Sequence, residues 1–83
     1  MNILYFAWVR EQIGTGHEDL DPPSEVGDVR GLIAWLAARS SGHESALRDT
    51  SRLRAAVDQT FVDLDAPVAG AREVAIFPPV TGG

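Results

Sequence analysis

The sequence predicts an α+β roll, a single sheet wrapped on one main helix. Three observations carry that expectation. Segments rich in β-branched and aromatic residues lie near both ends, at Ile3–Val9 and Arg72–Phe77. Between them Val29, Leu32, Ile33 and Leu36 fall at i, i+3, i+4 and i+7, one stripe of an amphipathic helix. A chain of 83 residues has room for one core, so the sheet and the helix must share it.

The first strand is expected over Ile3–Val9, where both alternating sets, Ile3/Tyr5/Ala7 and Leu4/Phe6/Trp8, are apolar. Gly14 and Gly16 then break the run, and His17–Asp21 forms a short strand closed by Pro22 and Pro23. Asp28 caps a helix running from Val29 to about Ser40, with Trp35 at the edge of its buried face and Gly42 as its terminator. Residues 43–49 add a short second helical turn. Strands follow at 52–58 and 59–62, then a turn-rich stretch over 63–71. The last strand covers 72–77 and ends at Pro78-Pro79, which cannot continue a sheet interior.

Composition removes several classes of function. Seven basic residues, all arginine, stand against twelve acidic ones, and the arginines are scattered rather than gathered on one face. Nucleic acid and anionic membranes are therefore not expected partners. The absence of cysteine excludes disulfides and thiolate metal sites. No stretch approaches the roughly 18 apolar residues of a membrane span, and no basic leader precedes the first apolar run. A cytoplasmic location is expected.

No side-chain constellation announces catalysis. The stretch "GTGHED" has Asp19 where a dinucleotide fingerprint needs its third glycine. His17, Glu18, Asp19 and Asp21 match no metal-loop spacing and read as exposed polar residues beside a turn. His43 and Glu44 read as solvated. Neither a metal nor a bound cofactor is expected.

The chemistry is expected in "PPVTGG", residues 78–83. Two prolines fix φ and favour an extended path, so the segment reads as a stiff base with a thin tip. Gly82 and Gly83 carry no side chain, which lets a backbone thread a narrow channel and leaves its carbonyl open to attack. The one functional group there is the α-carboxylate of Gly83, a poor acyl donor until it is adenylated. With neither lysine nor cysteine in the chain, no internal amine or thiol could intercept an activated terminus.

The opening "ILYFAWVREQIG", the segment "AAVDQTFV" and above all the closing "EVAIFPPVTGG" resemble the small subunits of molybdopterin synthase, ubiquitin-like β-grasp sulfur carriers. The resemblance runs nearly end to end, with Asp58 where that family often has asparagine. It implies a mixed sheet of four to five strands on one main helix over residues 1–77, with 78–83 as an extended tail. It implies that an E1-like enzyme, using ATP and magnesium, adenylates Gly83, which a sulfur donor then converts to a thiocarboxylate. The sulfur would pass to cyclic pyranopterin monophosphate inside the synthase large subunit, in an assembly of two small and two large subunits. The chain would be enzymatic only as the sulfur-donating subunit, with Gly82 and Gly83 as its reacting end. Phe6, Phe61 and Phe77 would face the partner, followed by Pro78, Pro79, Val80 and Thr81. Alternatives are carriage of sulfur to another acceptor (thiazole, cysteine or transfer RNA), a ubiquitin-like protein modifier, and a plain interaction domain with an inert tail.

Overall fold

The computed structural model describes residues 1–79. In chain order it forms β1 (Asn2–Tyr5), α1 (Ala7–Ile13), β2 (His17–Asp19), α2 (Val29–Ala37), α3 (Ser41–Leu47), a 3-10 turn (Thr50–Arg52), β3 (Arg54–Val57), β4 (Thr60–Val62) and β5 (Glu73–Phe77). One five-stranded sheet runs in the order β2-β1-β5-β3-β4. The β1–β5 pair is parallel and the other pairs antiparallel, so the sheet is mixed. The last strand is thus the central one, hydrogen-bonded on both sides.

The main helix forms where the stripe predicts. Asp28 is its cap, with Oδ1 accepting the Gly31 N–H at 2.7 Å. Val29, Leu32, Ile33 and Leu36 are buried with Ile3, Tyr5, Ala55, Val74 and Ile76 in one core. Burying four such side chains contributes about 1.5–3 kcal/mol each. Trp35 is half-buried at the edge of that face.

The strand expected over residues 3–9 is shorter, because it runs out of partners. Its neighbour β5 ends at Phe77 ahead of two prolines, and the Phe6 N–H makes the last bond to it, to the Ile76 carbonyl at 3.3 Å. Ala7 then takes a left-handed φ of 53°, a conformation that costs a non-glycine residue about 1 kcal/mol or more. The chain turns there into α1, a helix that the continuous apolar run does not announce. Val9 is buried in the shared core, and Ile13, one turn later, packs against it. Gly14 ends the helix at φ 97°, its N–H donating to the Arg10 carbonyl at 2.8 Å.

Gly42 also departs from expectation. It does not terminate α2, which stops at Ala37, but lies in the first turn of α3 under a Ser40 cap. Glycine is needed there for closeness. A Cβ at position 42 would stand 2.5 Å from the Gln12 carbonyl oxygen of α1. Helices α1 and α3 therefore pack backbone to backbone; α3 stands where the short second helical turn is expected, and α1 is the helix added to the expected pair. The expected strand at 52–58 begins only at Arg54, since Thr50–Arg52 winds into the 3-10 turn.

The β3–β4 hairpin turns through Asp58 and Gln59, both left-handed at φ 48° and 69°. The Asp58 carboxylate accepts the Arg72 and Glu73 N–H groups at 2.9 and 3.0 Å, which fixes the turn to the start of β5.

Candidate functional site

All three helices cover one face of the sheet. The opposite face carries the candidate site. Pairing registers place Leu4, Ala75, Ala56 and Phe61 in one row across β1, β5, β3 and β4. Two alanines in the middle of that row leave a shallow floor. Around it stand Phe6, Phe77, Pro78 and Pro79, and the result is an open depression of about 620 Å³. Gln59 and Glu73 are its polar members; the rest of the lining is apolar.

Phe6 is 48% exposed and Phe61 81% exposed, large apolar surfaces that a monomer does not ordinarily leave in water. The Phe61 and Phe77 rings meet at a centroid distance of 5.7 Å and 50°, a tilted pair. Phe77 is half-buried, and Phe6 follows the Tyr5–Ile76 register pair at the end of the parallel ladder. The structure therefore brings together Phe6, Phe61, Phe77, Pro78 and Pro79. Val80, Thr81, Gly82 and Gly83 lie outside the described residues. Leu4, Ala56 and Ala75 also line the site and were not singled out from sequence. Their signal was present in the alternation of β1, β3 and β5, since each is the off-core member. Trp8, grouped with Leu4 and Phe6 in the expected strand, is instead carried away by α1.

A second cluster corrects the reading of Glu18 and His43 as solvated. His43 is only 7% exposed. Its Nε2 lies 2.7 Å from Glu18 Oε1 and its Nδ1 2.7 Å from the Ser40 hydroxyl. The Tyr5 hydroxyl donates to the same Glu18 oxygen at 2.8 Å, and an Arg39 nitrogen stands 3.7 Å from the other. Burial pushes the Glu18 carboxyl up, but the hydrogen bonds from His43 and Tyr5, with the charges of His43 and Arg39, hold it below its ordinary value. Burial, reinforced by the bond to Glu18, pushes the Tyr5 hydroxyl up. This cluster ties β1, β2 and the α2–α3 corner together.

Neither place holds a nucleophile with an open pocket before it. The exposed face is suited to docking, and it lies at the end of β5 beside Pro78 and Pro79. Among the described residues no helix is long and apolar enough to cross a membrane.

Residues 3–83 match the family described as ThiS. An Escherichia coli (strain K12) protein named molybdopterin synthase sulfur carrier subunit is 42% identical over 83 residues, covering 100% of this chain and 99% of its own length. A Haemophilus influenzae protein of the same name is 34% identical over 83 residues, with the same coverage. The crystal structure of SAMP1 from Haloferax volcanii superposes with a TM-score of 0.75 at 23% identity, covering 100% of this chain and 98% of that one. That likeness concerns the fold, a ubiquitin-like β-grasp.

Proposed function

The chain belongs to the ThiS family, and from that premise we propose that it is the sulfur-carrier subunit of a molybdopterin synthase. The observation that supports this most is the full-length likeness, 42% identical, to a protein of that name. In this reading the Gly83 carboxylate attacks the α-phosphorus of ATP on an E1-like enzyme, with magnesium, and pyrophosphate leaves. A sulfur nucleophile then displaces AMP from the acyl adenylate, and the chain ends in a thiocarboxylate. Its sulfur forms a bond to a carbon of cyclic pyranopterin monophosphate in the large subunit in place of an oxygen, which leaves as water or as phosphate oxygen, and hydrolysis of the acyl–sulfur bond returns the Gly83 carboxylate. Two such deliveries complete one dithiolene, in an assembly of two small and two large subunits. This chain contributes the reacting terminus and the docking face, and ATP and magnesium are held by the activating enzyme.

The apolar face gives the reading its physical logic. Phe61 and Phe6 bring large rigid surface to a partner at low entropic cost, the kind of residue that dominates an interface. Phe77 fixes the place from which the tail departs. The test is the intact mass of the chain after incubation with ATP, magnesium, an E1-like activating enzyme and a sulfide source. A gain equal to replacing one oxygen by sulfur, absent when Gly82 and Gly83 are deleted, is expected. No gain, with an enzyme active on another carrier, would overturn it. Adducts joining Gly83 to target lysines would favour a protein modifier instead.

A further inference from the structure

A groove of about 650 Å³ lies between α1 and α3, lined in part by Trp8, Gln12, Ser45, Arg48, Asp49 and Arg52. The chain as a whole carries a net charge of −5, yet two arginines meet here around one carboxylate. That carboxylate is already engaged: Asp49 Oδ1 accepts the Ser51 hydroxyl at 2.6 Å and the Ser51 N–H at 3.2 Å. Neither guanidinium forms an ion pair among the described residues. Arg52 lies over the Trp8 ring, its central carbon 4.8 Å from the centroid. A guanidinium held against an aromatic face loses freedom and still has N–H donors to offer a carboxylate.

The groove lies on the helix side of the sheet and meets the apolar face only where β1 runs into α1. Trp8 lines the one, Phe6 and Ala7 line the other, and the three are consecutive. We infer that the groove is the charged half of the docking surface and takes an acidic segment, Asp or Glu side chains, on the partner that covers the phenylalanine face. This rests on the proposed function, in which that partner is the synthase large subunit. An apolar centre beside an arginine rim divides the work: the centre sets how long the complex lasts, and the rim sets how fast and in which orientation it forms.

The experiment compares the wild-type chain with an Arg48→Glu/Arg52→Glu variant for association with the large subunit at 50 and 500 mM salt. Both side chains are exposed, so thermal unfolding serves as the check that the fold is kept. At low salt the variant should associate about tenfold more slowly, and at high salt the two should converge. A Phe61→Ala variant should instead dissociate faster by a similar factor at both salts. Equal association rates and equal salt slopes for wild type and charge-reversed chain would overturn the inference. If the wild-type chain nonetheless gains sulfur at Gly83, the carrier reading stands and the groove alone is refuted. A wild-type chain that neither gains sulfur nor binds the large subunit sinks both.

Discussion

Replacing Glu18 with Gln would remove the charge from the buried cluster while keeping its size. Glu18 accepts two hydrogen bonds, from Tyr5 at 2.8 Å and from His43 Nε2 at 2.7 Å. A bond to a charged group contributes about 1.5–3 kcal/mol net, a neutral one about 1 kcal/mol. A glutamine oxygen accepts both at neutral strength, so the expected loss at neutral pH is about 1–4 kcal/mol. For a domain of this size that corresponds to a fall in Tm of roughly 4–30 °C. The pH dependence has a definite sign. The folded-state carboxyl lies below its ordinary value of 4.5, so its contribution is present above that value. It is lost as the pH falls through the depressed one. Wild type and Glu18→Gln should therefore differ most at neutral pH and converge below 4.5. Thermal unfolding followed by circular dichroism from neutral to acid pH reads this directly. A difference that is zero at neutral pH, or that persists undiminished in acid, would refute the argument that the charge of Glu18 holds the cluster.

Two further substitutions separate the sheet's two faces and test the helix contact. Phe77→Asp should leave the fold in place, because Phe77 is half-buried on the face away from the core, while large-subunit affinity drops by about 2 kcal/mol or more, roughly a thirtyfold rise in Kd or greater; an unfolded variant in the circular dichroism spectrum would make Phe77 core instead. Gly42→Ala should destabilise by about 1–3 kcal/mol despite alanine's better helix propensity, since its Cβ would meet the Gln12 carbonyl oxygen at 2.5 Å; a higher Tm, or a higher urea midpoint, would show that α1 and α3 part without cost.

The fold was legible wherever one period dominated. The α2 stripe, its Asp28 cap and the Glu73–Phe77 strand ahead of two prolines all stand where local patterns put them. The α1 helix was not, because "AWV" continues the apolar run of β1 without a break. The strand ends because its neighbours are short, which is tertiary information. Val9 and Ile13 at i and i+4 with Gly14 after them were the local signs, but three residues are too few to outweigh the run before them. His43 was illegible for a related reason. Its burial depends on Glu18, 25 positions away, and no spacing rule connects the two. The phenylalanine face was half legible. Phe6 and Phe77 could be placed side by side once the first and last strands were taken as neighbours. The alanine floor between the phenylalanines was legible only as off-core positions in the alternation, since Ala56 and Ala75 by themselves look like ordinary strand filler.

That floor also explains how one small domain can keep stability and docking apart. A sheet between helices and solvent has one face for the core and one left over. Here Val74 and Ile76 point to the core, while Ala75 and Phe77 point away. Both sets ride on β5, which is paired with β1 on one side and β3 on the other. A force drawn along residue 80 and beyond is therefore resisted by two ladders sheared along their length, so that many backbone bonds share the load. Had the tail left from an edge strand such as β4, one ladder would have carried it. The same position makes Phe77 the nearest strand residue to the tail, with Pro78 and Pro79 stiffening the chain as it leaves the sheet. In the proposed reading, a partner that covers Phe6, Phe61 and Phe77 would meet the chain at the end of β5, before any contact with the glycines is made.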